Sequence, residues 1–141
     1  MPHRHRYERT PDTVTLLSAS AAGGVVMLAA DTHPPALIAT AGSSASVLWA
    51  AVFTVAAAVS LIGVLTHAPV GWAVELGGRV PLGLTAGGYS VVLVRHSDTV
   101  GVALVAAIIG AVGVASLIRA GVLMVRLYRY HRAVHSQGGA M

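Results

Sequence analysis

Three ionisable side chains interrupt long apolar runs and are the residues best placed to do chemistry: Glu75, Arg79 and Arg119. Glu75 and Arg79 are four residues apart, which puts them on one face of a helix. Glu75 lies about five residues after the start of its run and Arg119 about six before the end of a later run, so antiparallel helices would hold both at a depth of roughly 8–9 Å. We therefore predict that Glu75 contacts Arg119, with Arg79 as the second candidate partner.

Two interpretations of this charge cluster are open. It is a buried ion pair that fixes helix register or docks a partner, or it is part of a proton or ion relay, which intramembrane ionisable groups often mark. One Glu with two Arg and no Asp or His at the same depth makes a poor relay. The residue types favour the structural or partner-docking role.

Other patterns that resemble catalytic or metal sites are incomplete. His131-x-x-x-His135 has the spacing of helical zinc ligands but lacks a third ligand, which favours a solvated basic tail. His96-Ser97-Asp98 contains the residue types of a catalytic triad, but adjacent residues cannot converge on one point, so it indicates a turn or cap. Phosphate-binding glycine loops, paired catalytic carboxylates and cysteines are missing from the sequence. We expect no enzymatic activity, no metal and no cofactor.

The elements that carry these residues are predicted to lie in a membrane. The chain has 141 residues, 55% of them hydrophobic and only 10% charged, with a mean hydropathy of +0.75. Average soluble domains carry about 25% charged residues, so this chain cannot cover a water-soluble core of its size. Against lipid the backbone must satisfy its own hydrogen bonds, which selects helices.

Four apolar segments are close to the roughly 20 residues that cross a bilayer. They cover residues 13–30, 45–66, 70–94 and 100–125. The third is interrupted by Glu75, Arg79, Pro81 and six glycines. The predicted fold is an all-α integral membrane bundle of four transmembrane helices, with a basic N-terminal tail at 1–12 and a basic C-terminal tail at 126–141.

The first segment also fits a secretory signal peptide, because a basic start precedes a short apolar run and small residues. Cleavage after Ala30 would place Leu28 at position −3, a poor match to the small residue that this position prefers. A retained helix is the favoured interpretation.

The distribution of arginine predicts the orientation of the chain. The terminal segments carry Arg4, Arg6, Arg9, Arg126, Arg129 and Arg132, whereas the three loops carry only Arg95. Basic flanks stay in the cytoplasm, so we expect a multi-pass protein of the cytoplasmic membrane with both termini inside. These arginines are expected to contact anionic lipid head groups rather than nucleic acid. The expected interfacial anchors are Trp49, Trp72, Tyr128 and Tyr130.

Small residues at helical spacing are expected to let helix backbones approach. The two candidate pairs are Gly83-x-x-x-Gly87 in the third segment and Ala106-x-x-x-Gly110 in the fourth.

A resemblance adds a functional expectation. The residues that carry it are Trp49, Glu75-Leu76-Gly77, and Arg119 with Arg126, Arg129 and Arg132. From Trp49 through Arg132 the sequence resembles small multi-span membrane proteins of actinobacteria and their phages, some of which are holin-like. The absence of Lys and the heavy use of Ala, Val and Gly are typical of such high-GC genomes.

The resemblance implies a non-enzymatic, holin-like protein that self-associates and permeabilises the inner membrane. An accessory subunit or assembly factor of a larger membrane complex is the alternative, with the charged face of the third segment docked on a partner. A small transporter is the third hypothesis. The expected partners are the bilayer and either further copies of the chain or that larger complex.

Overall fold

The chain folds into helices joined by short connections. The computed structural model describes residues 11–30, 35–96 and 99–138, with side chains through Val134. These residues form α1 (Pro11–Ala29), α2 (Pro35–Ala41), α3 (Ser43–Leu65), α4 (Val70–Arg95) and α5 (Val100–Gly138). Within the described residues the fold is all helical, as the sequence predicts. By length and composition, three helices can cross a membrane: α1, α3 and α5 over Val100–Val134.

Two elements differ from the sequence-based prediction. The connection after α1 contains the short helix α2, which starts at Pro35, a residue whose fixed φ and missing amide suit the first helical position. α5 does not end at residue 125 but continues to Gly138. The basic segment after residue 125 is free of Pro and of Gly before 138 and contains good helix formers, so nothing in it stops the helix.

The helices are arranged as an open row. α1 packs on α3, α3 on α4 and α4 on α5, while α2 lies against α3 and α4. Among the described residues, the backbone of α1 does not come close to that of α4 or α5, and the backbones of α3 and α5 also lie apart. Apolar helices gain little by leaving lipid for one another, so close backbone packing decides which helices meet. α4 has small residues on two sides and therefore joins two neighbours.

Neighbouring long helices are antiparallel. Gly24 of α1 lies against Thr54 of α3, and Gly63 of α3 lies against Glu75 of α4. Glu75 in turn contacts Arg119 of α5. This register brings the start of α1, the connection between α3 and α4, and the C-terminal part of α5 to the same end of the row.

Two kinds of packing hold the row together. Leu17 of α1 joins Ala57 and Val64 of α3 and Leu82 of α4 in a small apolar core. On α5, the buried positions repeat every seven residues, at 106, 113 and 120 and again at 116 and 123. A seven-residue repeat is typical of helices that cross at a shallow angle with interlocking side chains.

Candidate functional site

The charge cluster predicted from the sequence is assembled where α3, α4 and α5 lie side by side. Glu75 is fully buried, and its Oε1 accepts a hydrogen bond from Arg119 Nε at 3.2 Å. Arg79 Nε lies 3.4 Å from the same oxygen, one helical turn along α4. The pairing expected from the sequence is therefore present, with Arg79 as the second partner. We call Glu75, Arg79 and Arg119 the charge triad.

The two arginines of the triad differ in their surroundings. The Arg79 side chain is 6% exposed, whereas that of Arg119 is 33% exposed. One carboxylate between two guanidinium groups leaves a net charge of +1. Ionised groups at the centre of a span cost roughly 2.5–3.5 kcal/mol each on insertion scales. Pairing offsets part of that cost, and the partial exposure of Arg119 lets its guanidinium extend toward polar surroundings.

Glycines on α3 and α4 make the burial of the triad possible. A Cβ at Gly63 would overlap the backbone nitrogen of Glu75, and a Cβ at Gly78 would overlap Ser60. The two helix backbones therefore touch directly at Glu75, which is fully buried between α3 and α5. Gly63 and Gly78 are packing residues that the sequence pattern did not predict.

The predicted packing glycines all lie between α4 and α5, but the two small-residue pairs do not face each other. Gly113 of α5 lies against the backbones of Gly83 and Gly87, which leave no room for a Cβ at Gly113. A Cβ at Gly83 would meet the Leu117 side chain, whereas one at Gly87 would meet no atom within 4 Å. Ala106 and Gly110 meet Ser90, whose Oγ donates a hydrogen bond to the carbonyl oxygen of Ala106 at 2.7 Å. Gly113 was missed because the prediction looked for small residues four positions apart, and the residues four positions before and after Gly113 are Ile109 and Leu117.

Two buried serine hydroxyls lie on the helices that flank α4. Ser60 of α3 and Ser116 of α5 are buried at 0% and 1% exposure, and their hydroxyls have no hydrogen-bond partner among the described residues. Within those residues no group of three or more His, Cys, Asp or Glu side chains that could hold a metal ion comes together.

The expected interfacial aromatic residues fall into two groups. Trp49 is half-buried between α3 and α4: it stacks on Phe53 with ring centroids 5.3 Å apart, and its ring is tilted by 47° against that of Tyr89, with centroids 4.7 Å apart. Its Nε1 donates to the carbonyl oxygen of Thr85 at 3.1 Å. Trp72 is also partly buried, whereas Tyr128 and Tyr130 are exposed. Trp49 thus has a packing role that its sequence position did not reveal.

Replacing Trp49 with Phe is expected to lower the free energy of unfolding by at least about 1 kcal/mol, because an aromatic ring is kept but the hydrogen bond to Thr85 and part of the indole surface are lost. Denaturation of the detergent-solubilised protein in increasing dodecyl sulfate measures this. The exposed Tyr128→Phe variant should match the unchanged protein. A loss in W49F no larger than in Y128F would mean that the indole bond contributes nothing.

The remaining predicted residues lie at the ends of helices. Arg126, Arg129 and Arg132 are exposed on the C-terminal part of α5, whereas Arg4, Arg6 and Arg9 lie outside the described residues. His96 ends α4, with its Nδ1 3.0 Å from the carbonyl oxygen of Val92, in agreement with a cap. Ser97 and Asp98 lie outside the described residues.

Two apolar surfaces of the row are concave. A groove of about 300 Å³ lies between α3 and α4, and its lining consists of Ala51, Val52, Val55, Ala56, Val59, Gly77, Gly78 and Pro81. We call it the α3/α4 groove. The other lies on α5 near Gly121.

Comparison of the chain with protein-family models, curated proteins and solved structures finds no significant match.

Proposed function

We propose that the protein crosses the cytoplasmic membrane four times, with both termini inside, and acts by associating laterally with copies of itself. α4 is the fourth span: it is 26 residues long and lies between two apolar helices that shield its charges. The arginines at the common end of α1 and α5 favour the cytoplasmic position for that end.

Two observations together support self-association. The carboxylate of Glu75 is paired inside the row, and an apolar groove on the face of the row is uncovered. Because Glu75 pairs with Arg79 and Arg119 within the chain, its carboxylate needs no partner protein. The α3/α4 groove is apolar and open, which suits the side chains of another apolar helix. These features favour self-association over docking of the charged face on a larger complex.

The segment proposed to fill the groove is α5 of a second copy. α5 forms the edge of the row, and its outer face carries Val114 and Ile118, which are 57% and 64% exposed. The helix register puts Val114 at about the depth of Val55 in the groove. A groove that receives the edge of the next copy makes a heterologous contact, and such contacts build rings or open arrays.

Holin-like permeabilisation is the activity that such arrays would support. A holin-like mechanism needs the charged face of α4, with Glu75 and Arg79, to tolerate water, and α3 and α5 cover this face in the single chain. Water could reach Glu75 only after α4 and α5 separate, so permeabilisation would follow array formation rather than insertion.

Inducible expression with a potential-sensitive dye tests this: loss of membrane potential is expected, and an unchanged potential would rule out permeabilisation.

Cysteine cross-linking tests the contact directly, since the sequence contains no cysteine. In the double variant Val55→Cys/Val114→Cys, each copy carries both halves of the contact, so oxidation in membranes should give a ladder of multimers. The single variants should stay monomeric. A ladder that is absent, or that stops at dimers, would contradict the heterologous contact.

Filling the groove should abolish both association and depolarisation. Gly77→Leu places a side chain in the groove without an internal clash, because a Cβ there meets no atom within 4 Å. Gly88 on the same helix has equal space but lies outside the groove, so Gly88→Leu is the matched control. We expect the cross-linked ladder to fall by about tenfold in G77L, roughly the effect of losing one buried side-chain contact, and to persist in G88L. Equal behaviour of the two variants would exclude the groove as the contact.

A further inference from the structure

The second concave surface lies on α5, away from the charge triad and the α3/α4 groove. It has a volume of about 420 Å³ and is lined by Ile118, Gly121, Val122, Val125, Arg126 and Arg129. Gly121 creates the depression, since it has no side chain and a Cβ there would meet no atom within 4 Å. We call this surface the α5 groove. One end is aliphatic and the other carries two guanidinium groups.

The register of α4 and α5 gives the depth of the α5 groove. Glu75 lies five residues after Val70, the first residue of α4, and contacts Arg119. Met124 is therefore level with the first residue of α4, and Arg126 and Arg129 lie just beyond it. Gly121 lies about 12 Å below Arg129 along the helix. The groove thus runs from the polar boundary of the row into its apolar part.

We propose that the α5 groove binds one anionic phospholipid, with the phosphate between Arg126 and Arg129 and an acyl chain along Gly121. Guanidinium groups hold phosphate through paired, charge-assisted hydrogen bonds. Among the described residues neither arginine takes part in an ion pair, so both can serve the phosphate. The aliphatic wall of Ile118, Val122 and Val125 matches the chain of a lipid, which separates this ligand from free phosphate.

Substitution of Arg132 distinguishes a defined lipid site from a diffuse basic surface. It is exposed on the same helix, three residues after Arg129, but does not line the α5 groove. A diffuse surface would lose affinity equally whichever arginine is removed. A built site loses affinity for Arg126 and Arg129 and keeps most of it for Arg132.

The test measures lipid retained by the full chain in nanodiscs of phosphatidylcholine with one-tenth phosphatidylglycerol, by native mass spectrometry. Each arginine near a membrane surface strengthens anionic lipid binding by roughly fivefold. The double variant Arg126→Gln/Arg129→Gln should therefore lose phosphatidylglycerol preference by about twentyfold, and Arg132→Gln by less than about threefold. Gly121→Leu keeps every charge and fills the groove, so it should also lose the preference.

Each outcome decides the proposal. Equal losses in the single variants R126Q, R129Q and R132Q would overturn it in favour of diffuse charge, and full retention in G121L would remove the acyl-chain part. The inference rests on the proposed membrane placement of α5 but not on self-association. Cross-linking of the V55C/V114C variant in the same nanodisc preparation distinguishes the two proposals. Loss of the cross-linked ladder with intact phosphatidylglycerol preference contradicts only self-association. An intact ladder with lost phosphatidylglycerol preference contradicts only the lipid site.

Discussion

Replacing Glu75 with Gln is expected to lower the free energy of unfolding by about 3 kcal/mol, because it leaves two guanidinium groups without their carboxylate in a buried site. Breaking a buried ion pair costs about 3–5 kcal/mol of unfolding free energy. The lower end of this range applies because the Arg119 side chain is 33% exposed and can extend toward the membrane boundary. Unfolding of the purified protein in mixed micelles, followed by circular dichroism, measures the change.

Removing Arg119 should cost less than removing Glu75. Arg119→Gln leaves the neutral pair of Glu75 and Arg79, which are 3.4 Å apart, so we expect a loss of about 1 kcal/mol. The exchanged double variant Glu75→Arg/Arg119→Glu should recover part of the loss seen in E75Q. Arg126→Gln, a change on the exposed part of α5, is the control. The assigned pairing is incorrect if E75Q loses no more than R126Q, or if the exchanged variant is no more stable than E75Q.

Adding a single methyl group at Gly63 is expected to be nearly as damaging as removing the carboxylate. The Cβ of Gly63→Ala would overlap the backbone nitrogen of Glu75 and lie 2.5 Å from its Cα and 2.8 Å from its Cβ. Backbone atoms cannot turn aside as a flexible side chain can, so α3 and α4 must separate. We expect a loss of about 2–3 kcal/mol, the usual cost of overpacking at a tight contact.

The same substitution at an open glycine should have the opposite sign. A Cβ at Gly77 or Gly121 meets no atom within 4 Å, and Ala favours the helix over Gly by up to about 1 kcal/mol. G77A and G121A are therefore expected to be neutral or slightly stabilising in the unfolding assay that is applied to G63A. A G63A variant as stable as G77A would show that the backbones of α3 and α4 do not touch at this point.

Hairpin symmetry was a signal in the sequence that could have identified Gly63. Residues 63 and 75 are equidistant from Pro69, which lies in the short connection between α3 and α4, so an antiparallel hairpin places them opposite each other. The same argument about residue 97 pairs Glu75 with Arg119. Short connections fix register because they leave no slack between neighbouring antiparallel helices.

The sequence by itself determined the helical class, the long apolar segments to within a few residues, and the meeting of Glu75 with Arg119. These follow from local properties: hydrocarbon demands that each backbone satisfy its own hydrogen bonds, and charge depth can be counted along a helix. The end of α5 at Gly138 and the helix at Pro35–Ala41 were missed, because polarity and proline were taken as signs of helix termination.

Only the tertiary structure decided how the helices are arranged. Gly83, Gly87, Ala106 and Gly110 were candidates for close packing by their spacing alone, but the residues opposite them, Gly113 and Ser90, depend on the rotation of two helices about their axes. Likewise, nothing in the sequence distinguishes an open row from a bundle. In lipid, burial of apolar side chains gives no preference between them, so the choice is made by the few places where two backbones fit together.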